Sequence, residues 1–130
     1  MRLDIYVNYP GQCEEAFRFY EKHLRGKITM MQPHPDQQKQ KGILHARIEI
    51  GAALLMGADI PHAEPMRSAY LTLSVDSDKE ADRLYAVLSE GGEIFMKMQE
   101  TFFASRFAML RDKFGASWML LHERAIGANA

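Results

Sequence analysis

The seven residues from Glu14 to Tyr20, EEAFRFY, return 65 positions later as KEADRLY, Lys79 to Tyr85, with the Glu, Ala, Arg and Tyr in the same places. A helix written twice constrains the fold if its surroundings repeat as well, and they do. LDIYVNY, Leu3 to Tyr9, is rich in β-branched and aromatic residues and stops at Pro10-Gly11, so it reads as a strand and a turn. From Cys13 to Leu24 apolar residues recur at three- and four-residue steps, Glu14 and Glu15 sit in the first turn, and Gly26 offers a stop. KITMM is a second strand, Gln32 to Gly42 a polar, proline-punctuated mobile loop, and ILHARIEIG with AALLMGA a hairpin about Gly51. The second half runs in the same order. AYLTLSV is a strand, Ser77 or Asp78 caps a helix reaching about Ser89, and EIFMKM follows; SRFAML and ASWMLLHE then pair across Asp112 to Gly115. Two βαβββ modules, about 1–60 and about 67–123, thus make one α+β domain over 1–130, each module supplying a sheet that a single copy could not cover.

The balance of residue types suits one ordinary core, 47% hydrophobic and 25% charged over 130 residues. Formal net charge is −1 and the basic residues are scattered singly, which excludes the electrostatic footprint of a nucleic-acid binder. The longest apolar runs, such as Ala52 to Met56, fall far short of a membrane span. With Cys13 the only cysteine and no signal-type apolar segment at the start, the expectation is a cytoplasmic protein without a disulfide.

Taken in order, GQCEEAFRFYEKHLRGKI, HARIEIGAALLMGAD, LTLSVDSDKEADRLYAVLSEGGEI and MQETFFASRFAMLRDKFGASWMLL resemble the PhnB-like branch of the vicinal oxygen chelate superfamily, the glyoxalase, bleomycin-resistance and dioxygenase group. The resemblance spans roughly residues 3 to 122. It implies a curved mixed sheet around a cleft with the helices on its outer face, and often a homodimer. Some members of the branch carry a methyltransferase label, yet this short chain has no glycine-rich cofactor motif. Metal enzymes of the superfamily would place four ligands on matching strands, which here fall at about Ile5, Leu54, Tyr70 and Met119. Aliphatic groups, a thioether and one phenol offer a hard cation nothing. The five histidines form no chelating spacing, and His45 and Glu49 lie about 13 Å apart along one strand. His34 and Asp36 share a loop that could take up metal only adventitiously. No metal and no cofactor are therefore expected.

Strand periodicity points Leu44, Ala46, Ile48 and Ile50 at the helices and turns Ile43, His45, Arg47 and Glu49 the other way. By the same alternation Leu71, Leu73 and Val75 meet the helices, and Tyr70, Thr72 and Ser74 do not. The expected cleft is walled by His45, Arg47, Glu49, Tyr70 and Trp118 or Met119, with Phe102 and Phe103 at its rim, and would bind a small organic molecule. At a dimer seam the same Arg47 and Glu49 would instead pair with neighbours. Glu100 would serve as a general base if it faced the cleft, which keeps open a lyase, isomerase or dioxygenase relative, metal-dependent or Glu-based. Cys13, at a helix start, is either an acidified thiol or a buried packing residue. Seven of the nine methionines fall in predicted strands, where they fill core or interface.

Overall fold

A computed structural model of the chain describes residues 1–125. It divides into two compact units, Met1–Glu64 and Pro65–Ala130. Unit 1 contains β1 (Ile5–Tyr9), α1 (Cys13–His23), β2 (Lys27–Pro33), β3 (Ile43–Ile50) and β4 (Ala53–Asp59), with sheet order β1-β4-β3-β2. Unit 2 contains β5 (Leu71–Ser74), α2 (Asp78–Ser89), β6 (Glu93–Gln99), β7 (Ala104–Arg111) and β8 (Ser117–Glu123), in the order β5-β8-β7-β6. In each unit the first strand lies parallel to the fourth and the other pairings are antiparallel. This is the βαβββ module written twice, as the repeat requires.

Register refines the correspondence between the modules. Tyr6, Met56, Arg47 and Met30 occupy one cross-strand row of unit 1, and Thr72, Met119, Met109 and Met96 occupy the matching row of unit 2. The spacing of 65 therefore holds for the helices but shifts by one to three residues among the strands. Loops of unequal length absorb the difference.

The helices form where their apolar stripes meet a sheet. Cys13, Ala16, Phe17 and Tyr20 are the buried face of α1; Ala81, Leu84 and Leu88 are that of α2. α2 begins as its sequence suggests, Ser77 Oγ accepting the Glu80 N–H at 3.1 Å. α1 has no side-chain cap of its own. Instead Asp59, at the far end of β4, turns one carboxylate oxygen to the N–H groups of Gly11 (3.0 Å) and Cys13 (2.9 Å) and the other to that of Ile43 (2.8 Å). One buried carboxylate thus joins the start of α1 to the start of β3.

Three local expectations change. α1 ends through Arg25, whose φ of 55° takes the left-handed position expected of Gly26. At the start of β3 it is Ile43 that is buried and Leu44 that is 44% exposed, because the register shifts between Gln32 and Pro33 and the Ile43 N–H is drawn to Asp59. The segment between β2 and β3 is pinned rather than free: the Gln37 amide donates to the carbonyls of His34 and Gly42 and accepts from the Gly42 N–H, while Gln40 donates to the Asp59 carbonyl. The seven strand methionines all lie in strands as expected.

Candidate functional site

Val7 and Ala46, buried at 6% and 0%, share the face of the unit 1 sheet that meets α1, where Phe17 packs beside Gly57. Alternation then sends Tyr6, Met56, Arg47 and Met30 to the opposite face, with His45 two residues along from Arg47. There the side chains form a short chain of contacts. Arg47 Nε donates to His45 Nε2 at 3.3 Å, one terminal guanidinium nitrogen approaches the Met56 sulfur at 3.8 Å, and His45 Nδ1 meets the Tyr6 hydroxyl at 3.4 Å. The two rings lie 5.8 Å apart and 30° from coplanar.

The chemistry of the donors fixes the protons. A guanidinium only donates, so His45 Nε2 must be the bare, accepting nitrogen and Nδ1 carries the hydrogen. That hydrogen is given to the Tyr6 oxygen, and the phenol proton is left pointing away from the histidine. Burial, with a smaller contribution from Cys13, pushes the Tyr6 phenol above its ordinary pKa, so it stays a donor. Of the residues expected from sequence, His45 and Arg47 are brought into contact. Tyr6 and Met56 were missed, because nothing in the sequence says which strand borders β4. Glu49 sits apart, in an open hollow of about 280 Å³ bordered by Arg2, Asp4 and Leu54.

In unit 2 the matching face is apolar. Phe107 and Leu121, 8% and 7% exposed, cluster with Ala104, and Phe103, Met109 and Met119 pack against them. Phe102 is 85% exposed and meets Phe103 edge-on at 5.3 Å. Tyr70 touches the Phe95 ring at 6.4 Å, and the same ring lies 5.1 Å beneath the Arg111 guanidinium, which donates to the Met66 carbonyl. Trp118 belongs to the core: 2% exposed, it gives its indole N–H to Asp112 at 2.8 Å, so of the pair Trp118 and Met119 only Met119 lies on the face turned from α2. Glu100 is 72% exposed and paired with Arg124 at 3.0 Å, without the apolar enclosure that the base role required.

Two further groups invite a chemical reading. Asp78, Ser105 and His122 meet where α2 crosses β7 and β8; one Asp78 oxygen accepts from Ser105 and from His122 Nδ1 (2.8 Å). Hydrogen bonds from Ser105 and His122, and then the Arg106 charge, hold the Asp78 carboxyl below its usual range. Serine and aspartate address the same ring nitrogen, with Ser105 Oγ 3.1 Å from Nδ1. A nucleophile relay needs them on opposite nitrogens, so this is a clamp and not a triad. Cys13 is fully buried, and burial followed by the Asp59 and Glu14 charges pushes its thiol up to about 12. We expect the native protein to show no reaction with a thiol reagent at pH 8 over minutes and one equivalent of reaction once unfolded in urea. Labelling of the native fold at the rate of a small free thiol would contradict this.

A divalent cation finds no seat on this face. Ile5, which the resemblance placed among the metal positions, lies on the helix side of β1 with Leu55 as its neighbour, so Tyr6 takes its place. Unit 1 then offers a phenol and the Met56 thioether, and unit 2 offers Thr72 and Met119. Among the described residues no group of three or more His, Cys, Asp or Glu side chains stands ready to hold an ion. The imidazole of His45 is engaged by a guanidinium that would repel a cation. These residues do not fit the metal.

A family model described as 3-demethylubiquinone-9 3-methyltransferase matches residues 2–121. Protein YjdN of Escherichia coli (strain K12) is 30% identical, the match covering 92% of this chain and 94% of YjdN. The crystal structure of protein PA1353 from Pseudomonas aeruginosa is similar with a TM-score of 0.85 and 37% identity, over 95% of this chain and 98% of that one. A putative 3-demethylubiquinone-9 3-methyltransferase, PhnB protein, from Bacillus cereus superposes with a TM-score of 0.83 at 23% identity, over 94% and 99% of the two chains.

Proposed function

Since the chain belongs to the PhnB-like family described as 3-demethylubiquinone-9 3-methyltransferase and has the glyoxalase and bleomycin-resistance fold, we propose that it is a metal-free binding protein for a small organic molecule, seated on the unit 1 face formed by Tyr6, His45, Arg47 and Met56. One observation carries this reading. Tyr6, His45 and Arg47 are held against one another on a partly exposed sheet face, with no carboxylate paired to the guanidinium and no chelating set beside them among the described residues. Apolar surface from Met30, 43% exposed, and from the Tyr6 ring lies alongside.

Methyl transfer draws no support from the residues. At the β1–α1 turn the N–H groups of Gly11 and Cys13, which could receive a nucleotide-type cofactor, are already taken by the Asp59 carboxylate. A homodimer is part of the proposal, because edge strand β6 presents Ile94, Phe95 and Met96, each 37–45% exposed. Sedimentation equilibrium should read twice 14.9 kDa.

The decisive experiment is a metabolite and drug screen on untagged protein by thermal shift, with hits mapped by amide chemical shifts. Saturable binding centred on residues 6, 45–47 and 56 is expected. An intact fold that binds nothing, or a stoichiometric divalent ion found by elemental analysis, would sink the reading.

A further inference from the structure

We propose that the molecule held on the unit 1 face is an organic carboxylate, received end-on by the Arg47 guanidinium with the Tyr6 hydroxyl as a third donor. The inference rests on the binding role proposed above and adds the chemical class of the ligand.

Arg47 is unusual among the arginines of this chain. Arg106 and Arg111 are also half-buried, and each has a carboxylate: Asp82 at 3.0 Å for the first, Glu93 at 3.4 Å for the second. Arg47 has none among the described residues. Its partners are an imidazole nitrogen and a weakly accepting thioether sulfur, neither of which brings a negative charge. Glu49, two residues along the same face, makes no ion pair with it, and in register Glu49 stands opposite Lys27. A half-buried cation without a counter-charge is an arrangement that an incoming anion completes.

Geometry narrows the anion. Nε is committed to His45 and one terminal nitrogen to Met56, so the guanidinium is held along its side, and the outward hydrogens of the two terminal nitrogens form the remaining edge. That edge presents parallel N–H groups at the spacing of the two oxygens of a carboxylate. Because His45 Nδ1–H is given to the Tyr6 oxygen, the phenol proton is directed outward as a further donor. The guanidinium edge and the phenol proton are all donors, so they favour a group that accepts with two oxygens over an ammonium group, which only donates. Met30 and Met56 flank Arg47 in the same cross-strand row, and the Tyr6 ring closes it. A flexible thioether surface of that kind suits a carbon skeleton and gives a bare inorganic ion nothing.

The test compares two molecules of one shape, benzoate and benzamide, titrated into the whole protein at pH 7 while the Arg47 Nε–H and the amides of β1, β3 and β4 are followed by NMR. Benzoate should shift the Arg47 and Tyr6 signals saturably, and benzamide should bind at least about tenfold more weakly. Arg47→Met should weaken benzoate at least about tenfold and so abolish most of the preference for benzoate over benzamide, Arg47→Lys should recover part of the loss, and Tyr6→Phe should weaken benzoate about threefold. Equal binding of the two compounds, full retention in Arg47→Met, or shifts confined to surface lysines would overturn the carboxylate assignment while leaving the binding role intact. Silence from both compounds also overturns it. The binding role falls with it only if neutral and cationic members of the broad screen are silent as well. Should Arg47→Met fail to fold, the wild-type comparison and Arg47→Lys decide the matter alone.

Discussion

Replacing Asp59 by alanine is expected to remove at least about 4 kcal/mol of stability, a loss among the largest a single side chain can cause. Asp59 is 3% exposed, and its two oxygens accept from three backbone N–H groups. Gly11 is exposed enough for water to stand in. Cys13 and Ile43 are not, at 0% and 4% exposure, so their N–H groups would remain buried and unpaired. The loss also uncaps α1, which has no cap residue of its own. Asparagine is no remedy, because one of the two oxygens becomes an NH2 facing an N–H donor; Asp59→Asn should lose about 2 kcal/mol or more. Urea denaturation measures the size of both effects. Hydrogen exchange locates them, and protection should fall first at the amides of α1 and the start of β3. A midpoint for Asp59→Ala within about 1 kcal/mol of wild type would show that the carboxylate does not hold these elements together.

The second large effect is expected at Asp112. Its carboxylate, also 3% exposed, closes the β7–β8 turn by accepting from Phe114 (2.9 Å) and Ala116 (3.0 Å), and its other oxygen takes the Trp118 indole N–H. Asp112→Ala should cost about 3–4 kcal/mol, since all three donors belong to residues no more than 5% exposed. The Asp112→Asn variant would keep an oxygen on the backbone pair and turn an NH2 toward the indole. The resulting clash can be separated from the rest: Trp118→Phe removes the indole N–H, so Asp112→Asn should cost less in the Trp118→Phe background than in the wild type. Additive losses in that double-mutant cycle would mean that the indole bond contributes nothing of its own.

These two carboxylates differ in how far the sequence announces them. Asp112 precedes Lys113-Phe114-Gly115, a turn signal between two apolar strands, and its backbone partners lie two and four residues away. Asp59 is followed by Ile60-Pro61 and looks like any residue leaving a strand, yet its partners lie 16 to 48 positions back. Local chemistry is visible in a sequence, and a hydrogen bond closed by the return of a distant strand is not. The same contrast holds for the site. His45 and Arg47 share a face because a strand alternates with period two. Tyr6 joins them only because the chain crosses over to lay β1 beside β4, and a one-residue slip in that strand, from Tyr6 to Ile5, exchanges the face turned to α1 for the face turned away.

By itself the amino-acid order determined that there are two βαβββ modules, where their helices and hairpin turns lie, and that α2 opens at Ser77 or Asp78. These follow from periodicity and from contacts within a few residues, which the chain spells out directly. Only the tertiary structure decided the cross-strand rows, the burial of Ile43 in place of Leu44, the joining of α1 and β3 by Asp59, and the meeting of Tyr6, His45, Arg47 and Met56. Each depends on which strands become neighbours and in what register, and that is settled by the packing of whole elements rather than by any segment read alone.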